Sequence, residues 1–413
     1  MEVYVARQPV FDSRQQVFAY ELLFRHGLEN CYPGVDGDLA TARVITDSFM
    51  LLGIDTLTNG KPAFINFTAN MIKNEIPTIF PPDLIGVEIL EDIELDEDIL
   101  YACQKLKNSR YLLVLDDFAL SGERAALAEM ADIIKVDFLA TAKEDRAALA
   151  EKFAGSRIKL LAEKVETMAD FEEALQLGYT YFQGFFFSRP HIISRKDIPS
   201  HRLTYLRILQ ELHSTNPDFE EITRIVTADL SLSYKLLRLV NSAIFGFRCR
   251  ISSIKHALVI LGLEEIKKWI TLLALSNMGQ DKPDELIVNS VVRARFGELI
   301  ASIIGLQNRS SEFFLMGLLS LIDAFLDRPM QEILAELPLA NEIKDALTGR
   351  MNLFGMVYRL ILAYEKADWE EVHTYSSRLN VGEEKIPQFF FQSVQWTNQL
   401  FASVFSNPHT SFG

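Results

Sequence analysis

Acidic and amide side chains recur at the ends of short apolar runs in the first half of the chain. Each run is typical of a β-strand, and the polar residue stands near its last position. The set comprises Glu21, Asn66, Glu88, Asp116, Asp117, Glu163, Glu166 and Gln183, with Lys135 set among them. Because a parallel barrel gathers its strand ends at one rim, residues spread over roughly 160 positions are expected to converge on one site.

Several carboxylates at one rim are the ligands expected for a hard divalent cation. Asp116 and Asp117 are adjacent, so they can reach two metal ions, or one metal ion and one water molecule. Mg²⁺ and Mn²⁺ prefer such oxygen ligands, and two metals about 4 Å apart can hold a phosphodiester for in-line attack. Lys135 is expected to orient the attacking water or neutralise charge, and Arg25 to bind a phosphate as a fork.

Mutual repulsion also favours a cation at this rim. Two unit charges 4 Å apart repel by about 4 kcal/mol at an effective dielectric constant of 20. Either cations bind there, or some of the carboxylates take up protons. A single acidic residue at a strand end is more often a solvated surface residue, so only the joint pattern indicates a site.

Eight β-rich runs alternate with helix-like stretches over residues 1–190, which predicts β/α units closed into a barrel. The runs are VYVARQPVF (3–11), VFAYELLF (17–24), AFINF (63–67), LIGVEIL (84–90), YLLVLDD (111–117), DIIKVDF (132–138), IKLLAEKV (158–165) and YTYFQGFFF (179–187). Only DSRQQ separates the first two runs, too little for a parallel crossover, so these two should pair antiparallel. We therefore predict an irregular TIM-like (β/α) barrel with an antiparallel first strand.

The pattern changes near Ser188-Arg189-Pro190, where the segment SRPHIISRKDIPSHR carries two prolines and mixed charge. Beyond it, apolar residues recur at spacings of three and four, which indicates helices. The predicted fold class is therefore α/β plus all-α. We expect a barrel domain at 1–198 and an α-helical bundle at 199–413.

Composition bounds the function classes. The chain has 413 residues, a net charge of −15 and a pI of about 5.0, which argues against broad affinity for nucleic acids or anionic membranes. Its three cysteines are far apart and suit a reducing compartment. No run approaches 18 uninterrupted apolar residues, and the start MEVYVARQPV does not read as a signal peptide. A soluble cytoplasmic protein is expected.

Residues 1–190 resemble EAL domains, barrel proteins that bind cyclic di-GMP and often hydrolyse it to the linear dinucleotide. The motifs YVARQPVFD, AYELLFR, INFTAN, VEILED, LDDFA, IKVD, LAEKVET and FQGFFFSRP occur in the order of that family. The resemblance implies that Mg²⁺ or Mn²⁺ is bound by Glu21, Asn66, Glu88, Asp116, Asp117 and Glu163. It implies catalytic roles for Glu21, Lys135 and Glu163. Nucleotide contacts would come from Gln8, Arg25, Gln183 and Arg189, and support of the loops from Glu91 and Glu166.

The chain also departs from the pattern of EAL domains. The loop after Asp-Asp-Phe is rich in glycine in the family, whereas here it reads Ala119-Leu120-Ser121-Gly122. The family's Ala-Glu-Gly-Val-Glu becomes Ala162-Glu163-Lys164-Val165-Glu166, so that Lys164 brings a cation near the expected metals. These changes leave the set of ligands almost whole and favour binding over turnover.

The second half resembles an HDOD domain, a helical module related to HD phosphohydrolases without their metal ligands. The resemblance covers about 199–400 and is strongest over 225–275, in ADLSLSYKLLRLVNSAIFG and ISSIKHALVILGLEEIKKWI. No His-Asp dipeptide occurs in the chain, and Ser320-Leu321 stands where that pair is expected. We therefore expect no catalysis from this half, and Asn241 is expected to form hydrogen bonds within a helix junction.

Two hypotheses for the function follow, with a weaker third. In the first, cyclic di-GMP or a derived signal occupies the barrel, and the HDOD half relays that state to an unidentified signalling protein. In the second, the barrel is an active metal-dependent phosphodiesterase that gives the linear dinucleotide pGpG. The third is a protein-interaction scaffold without nucleotide. A homodimer is expected in each case, with neither a membrane nor nucleic acid as a direct partner.

Overall fold

The computed structural model describes residues 3–26, 53–91, 93–116, 125–188, 200–214, 217–247 and 251–404. Its first part is a closed barrel of eight strands that follow one another in chain order. The strands are β1 (Val3–Asp12), β2 (Val17–His26), β3 (Ala63–Phe67), β4 (Ile85–Ile89), β5 (Leu112–Leu115), β6 (Ile133–Asp137), β7 (Lys159–Glu163) and β8 (Tyr181–Gln183). The helices between them are α1 (Ile54–Thr58), α2 (Ala69–Lys73), α3 (Glu97–Asn108), α4 (Ala125–Met130), α5 (Lys143–Phe153) and α6 (Met168–Leu177).

β1 runs antiparallel to both of its neighbours, β2 and β8, whereas the other adjacent strands pair in parallel. The turn between β1 and β2 is closed by Asp12, whose Oδ1 accepts hydrogen bonds from the backbone N–H groups of Arg14 and Gln16. Because the first connection is a hairpin, β1 enters the barrel in the opposite direction. The prediction of an irregular TIM-like barrel with an antiparallel first strand is confirmed.

The lower part of the barrel interior is a layer of apolar side chains contributed by successive strands. The inner layer consists of Val10, Ala19, Phe64, Val114, Ile133 and Leu161, with Phe18 and Tyr181 packed against it. On β4 the corresponding position is Gly86, where a Cβ atom would lie 2.6 Å from the Phe64 ring. The lack of a side chain at Gly86 therefore leaves room for the Phe64 ring, as layered packing inside a barrel requires.

Local signals fix the helices on the outside of the barrel. At the start of α3, Asp96 accepts a hydrogen bond from the backbone N–H of Ile99. Thr167 and Asp170 form a reciprocal capping box at the start of α6, and Gly178 ends that helix in the left-handed region. Such caps satisfy backbone groups that a helix end leaves without partners, so the starts of α3 and α6 are fixed by local hydrogen bonds.

The second part of the chain is helical, which confirms the all-α component of the predicted fold class. Its helices are α7 (Ser200–Leu212), α8 (Phe219–Ala228), α9 (Leu230–Val240), α10 (Ile254–Leu261), α11 (Leu263–Met278), α12 (Asp284–Ile303), α13 (Ser310–Leu319), α14 (Ile322–Leu326), α15 (Met330–Glu336), α16 (Asn341–Leu347), α17 (Leu353–Glu365), α18 (Trp369–Leu379) and α19 (Lys385–Val404). None of the helices that the structure describes is long and apolar enough to cross a bilayer.

Asn241 makes the junction between α9 and the segment leading to α10. Its Nδ2 donates to the carbonyl oxygens of Leu237 (2.7 Å) and Ile251 (2.8 Å), and its Oδ1 accepts from Ile251 N–H at 2.8 Å. Both ends of the amide are therefore used within the fold. The expected hydrogen bonds at a helix junction are therefore present, and the Asn241 side-chain amide makes them with the backbone of Leu237 and Ile251.

The chain divides into two compact units. The first comprises residues 1–187 together with Tyr364–Trp369, and the second comprises 188–363 and 370–413. Within the first unit, the Tyr364 hydroxyl donates to the carbonyl oxygen of Val5 at 3.2 Å. The predicted domain boundary at residue 198 falls in 189–199, outside the described residues, and stays a prediction.

Candidate active site

The predicted site residues form a second layer of the barrel interior, above the apolar one. Side chains alternate between the two faces of a strand, so residues two positions apart share a face. On each strand, the site residue stands two positions from the residue of the inner apolar layer. Where a strand contributes no residue to that layer, it stands two positions from the residue at the corresponding level. The residues of this site layer are Gln8, Glu21, Asn66, Glu88, Asp116, Lys135, Glu163 and Gln183, one from each strand or the residue directly after it. The parallel strands thus bring their polar ends to one rim, as the sequence predicted.

Lys135 lies at the centre of the site layer, with its side chain only 1% exposed. Its Nζ contacts four carboxylates, at 3.4 Å from Glu21, 3.3 Å from Asp116 and 2.6 Å from Glu163, and in a short contact with Glu88. One ammonium group therefore balances several carboxylates that would otherwise repel one another in a water-poor interior.

Burial and mutual repulsion hold protons in this cluster. The pKa of Glu88 is raised well above its usual value because the residue is fully buried and lies near the carboxylate of Glu21. Burial, followed by the repulsion of Glu21 and Asp116, raises the pKa of Glu163 to about 7, against the attraction of Lys135. For Lys135 burial favours the neutral form, but the surrounding carboxylates prevail and raise its pKa. The lysine is therefore a permanent cation.

The donor set of the site fits a divalent cation. Glu21, Glu88 and Glu163 each offer an oxygen atom, and these atoms lie within 4.8 Å of one another. Among the described residues, Glu88 Oε2 and Asn66 Oδ1 are buried acceptors without a hydrogen-bond partner. A buried acceptor without a donor is unfavourable. A divalent cation, which prefers hard oxygen ligands, would interact favourably with both atoms.

Gln183 and Gln8 close the site layer on the antiparallel side of the barrel. Gln183 Nε2 donates to Glu21 Oε2 at 2.6 Å and to Gln8 Oε1 at 3.2 Å. Gln183 thereby fixes the orientation of the Glu21 carboxylate. Its own Oε1 is buried and has no partner among the described residues, so it is a candidate contact for a ligand.

An open pocket of about 330 Å³ leads to the site layer. Its walls combine the charged site residues with an apolar part. The lining residues are Gln8, Glu21, Asp116, Lys135, Leu139, Glu163, Lys164, Glu166, Gln183, Gly184 and Phe185. Leu139 is 63% exposed at this wall, so the pocket offers an apolar surface beside its carboxylates. Glu166, predicted to support a loop, lies half-buried in the same wall.

Some predicted site residues cannot be placed. Asp117, Arg189 and the loop Ala119–Gly122 lie outside the described residues, and of Arg25 only the backbone, in β2, is described. Glu91 is exposed in the turn after β4. The roles given to these residues by the resemblance stay predictions.

Lys164 follows β7 directly, and its ammonium group pairs with Asp137 at the end of β6. The distance from Lys164 Nζ to Asp137 Oδ2 is 2.5 Å. Asp137 Oδ1 accepts hydrogen bonds from the backbone N–H groups of Leu139 (2.7 Å) and Ala140 (2.9 Å). Burial opposes the charge of Asp137, but these bonds and Lys164 lower its pKa. Sequence reasoning missed Asp137, although an aspartate at the end of a strand is a signal for an Asx turn.

Gly184 supports the pocket wall by permitting a close approach of two backbone segments. Its φ is +146°, and a Cβ atom there would overlap the backbone of Val165. Val165 N–H donates to the Gln183 carbonyl at 2.9 Å, and Phe186 N–H donates to the Val165 carbonyl at 3.1 Å. Any side chain at 184 would therefore displace the segment that carries Glu166.

We expect Gly184→Ala to destabilise the barrel by about 3 kcal/mol or more, because backbone strain adds to a steric clash. Gly178→Ala is the matched control, since that glycine also has a positive φ but nothing lies within 4 Å of its Cβ position. The control should cost only about 1 kcal/mol. Urea unfolding measures both, and equal losses would contradict the close approach.

The Glu163 carboxyl makes the metal-free protein sensitive to pH. Its folded-state pKa of about 7 lies above the ordinary 4.5. Stability from the protonated form is therefore fully present below about pH 4.5 and is lost as the pH rises through about 7. We expect the Tm in EDTA to fall between about pH 5 and about pH 8, and to fall less in Mn²⁺. The Glu163→Gln variant should flatten the profile, and a flat wild-type profile would contradict this expectation.

In the helical unit, Ser320 stands where the sequence placed the metal-binding pair of HD hydrolases. Ser320 Oγ donates to the Gly317 carbonyl at 2.7 Å and accepts from Arg293 Nη1 at 3.1 Å. Burial lowers the pKa of His213 to about 3, and its Nε2 lies 3.0 Å from Thr271 Oγ1. Ser320 and His213 are therefore engaged in hydrogen bonds within the helical unit.

Comparison with known proteins identifies both halves. The family model of the EAL domain matches residues 48–190, and that of the HDOD domain matches residues 198–339. The chain is 34% identical over 403 residues to the Vibrio cholerae protein "Cyclic di-GMP phosphodiesterase CdgJ", covering 96% of this chain and 93% of that protein. It is 38% identical over 408 residues to the uncharacterized Bacillus subtilis protein YuxH, covering 97% and 99%. The chain therefore belongs to the family of proteins that join an EAL domain to an HDOD domain.

Solved structures of EAL proteins are also similar to this chain. BlrP1 of Klebsiella pneumoniae, in its complex with calcium and cyclic di-GMP, matches with a TM-score of 0.39 and 18% identity. That match covers 46% of this chain and 56% of the BlrP1 chain. An EAL domain protein from Listeria monocytogenes EGD-e matches with a TM-score of 0.36 and 22% identity, covering 46% of this chain and 88% of that one.

Proposed function

We propose that the barrel binds cyclic di-GMP and, with divalent cations, cleaves one of its phosphodiester bonds to give the linear dinucleotide pGpG. The observation that carries the proposal is the site layer, in which four carboxylates surround Lys135 at the rim of the barrel. The full-length similarity to CdgJ supports the same substrate.

Glu21, Asn66, Glu88, Asp116 and Glu163 would hold the divalent cations, Mg²⁺ or Mn²⁺, and the resemblance adds Asp117. Bound metal would stabilise the negative charge of the phosphodiester and activate water. Gln183 keeps the Glu21 carboxylate in one orientation through its hydrogen bond. Preformed geometry of this kind limits the reorganisation needed during reaction.

Lys135 supplies a fixed positive charge at the point where the carboxylates meet. In hydrolysis, the water oxygen bonds to phosphorus, the P–O3′ bond breaks, and the departing oxygen takes up a proton. Lys135 would orient the attacking water and neutralise charge that develops on the phosphate. Glu163, 2.6 Å from the Lys135 ammonium, would accept the proton that the water gives up.

The sequence favoured a second candidate, binding of cyclic di-GMP without hydrolysis and relay through the HDOD half. The contacts of the Lys135 ammonium with all four carboxylates are compatible with both candidates, because they leave the charge of the site partly balanced before a cation binds. Of the two departures that argued against turnover, the ammonium of Lys164 is paired with Asp137, and the loop Ala119–Gly122 is outside the described residues. The homodimer and the signalling partner stay predictions.

Incubation of the purified full-length chain with cyclic di-GMP and Mn²⁺ or Mg²⁺ tests the proposal. Chromatography of the products and a parallel calorimetric titration give the two readouts. We expect pGpG to accumulate only with divalent cation present. Binding without product would overturn hydrolysis and support the relay, whereas neither binding nor product would overturn both.

A further inference from the structure

Lys164 has a backbone conformation that costs free energy for any residue except glycine. Its φ is +53°, in the left-handed region, directly after β7. A side chain is disfavoured there by its Cβ, and a glycine would adopt the same conformation without that cost. A residue that is kept in such a conformation raises the question of what its side chain contributes.

The side chain of Lys164 is held at the wall of the pocket by an anchored carboxylate. The partner, Asp137, is only 9% exposed, and its other oxygen is engaged by two backbone N–H groups. The Lys164 side chain is 55% exposed and forms part of the pocket lining. Its ammonium is therefore anchored by Asp137, and more than half of the side chain that carries it is exposed at the pocket wall.

The charge of the pocket gives that ammonium a role. Its lining residues include the acidic side chains of Glu21, Asp116, Glu163 and Glu166, against Lys135 and Lys164. Lys135 is 1% exposed and contacts four carboxylates beneath the pocket. Among the lining residues that the structure describes, Lys164 is thus the cation that an incoming anion meets first.

We propose that Lys164 is an affinity-determining residue, whose ammonium binds a phosphate of the cyclic dinucleotide while Asp137 holds it at the pocket wall. The inference rests on the proposed binding of cyclic di-GMP. A phosphodiester is repelled by the acidic lining, and a hydrogen-bonded ammonium offsets that repulsion. Because Lys164 adjoins Glu163, its phosphate contact also places the ligand beside the carboxylates.

Calorimetric titration of the full chain with cyclic di-GMP in the presence of Ca²⁺ tests the inference, with chromatography to verify that the ligand stays intact. We expect Lys164→Gln and Lys164→Gly to weaken binding by about tenfold, the effect of losing one charged hydrogen bond. Lys164→Arg should stay within about threefold of wild type, since the cation is kept. Raising the salt concentration should weaken cyclic di-GMP binding to the wild type more than to the glutamine variant. The reason is that salt screens the contact between the ammonium and the phosphate, which only the wild type makes.

The glycine variant separates the contact from folding. It removes the ammonium and its ion pair with Asp137 but relieves the positive φ, so its Tm should stay close to that of wild type. Unchanged affinity and salt dependence in the glutamine and glycine variants would overturn the inference and leave the proposed function intact. Tighter binding by both variants would also overturn it, because the ammonium would then act by repelling metal. Absence of binding by wild type would overturn the inference together with the proposed function.

Discussion

Glu21→Gln should lower the rate of pGpG formation by about a thousandfold or more, since loss of a metal ligand removes several kcal/mol of charge stabilisation. Glu21 is 6% exposed and lies beside Glu88 and Glu163, with an oxygen atom in the candidate metal cluster. The substitution keeps the shape and the possibility of a hydrogen bond with Gln183, but it removes the charge that a cation requires. The substitution should therefore lower the rate of hydrolysis much more than the stability of the fold.

The measurement is product formation under single-turnover conditions, with the Tm recorded for each variant. Glu97→Gln is the matched control, because it makes the same chemical change at an exposed position in the first turn of α3. The control should keep wild-type activity. If Glu21→Gln released pGpG at the wild-type rate, the site layer would not be the place of hydrolysis.

Lys135→Met should destabilise the metal-free protein by about 3–5 kcal/mol, the usual cost of removing one partner from a buried ion pair. The methionine fills similar space but leaves the carboxylates of Glu21, Glu88, Asp116 and Glu163 without their common cation. The cluster must then take up further protons or separate, and both responses cost free energy of folding.

Divalent cation should partly reverse this loss. We expect Mn²⁺ to raise the Tm of Lys135→Met more than that of wild type. In the variant, the bound cation neutralises carboxylates that have lost the Lys135 ammonium. Lys105→Met is the matched control: that lysine pairs with Glu75 at the surface, where both side chains are about half exposed. Its loss should leave the Tm close to that of wild type because solvent screens the exposed pair, and equal losses of Tm in the two variants would contradict the central role of Lys135.

Much of this protein was predictable because the evidence is local in the chain. The alternation of apolar and polar residues with a period of two places Phe64 below Asn66, and Leu161 below Glu163. The shortness of DSRQQ required the hairpin between β1 and β2. These features depend on neighbouring residues alone, so the barrel and the layer that carries the site residues could be predicted.

Contacts between distant side chains were less predictable. The sequence suggested that Lys164 would face the metals, whereas the structure pairs its ammonium with Asp137. A residue after a strand can point in several directions, and the choice depends on which carboxylate the adjacent strand presents. Gly184 likewise gave no signal, because its close approach to Val165 exists only once β7 and β8 lie side by side.

The sequence by itself determined the barrel, the helical second half and the identity of the polar residues at the rim. Only the tertiary structure decided how their charges are balanced, since Lys135 meets Glu21 across 114 positions and Glu88 across 47. The reason is physical: strand periodicity is set by each residue's own backbone, whereas electrostatic energy depends on distances that exist only after the barrel closes.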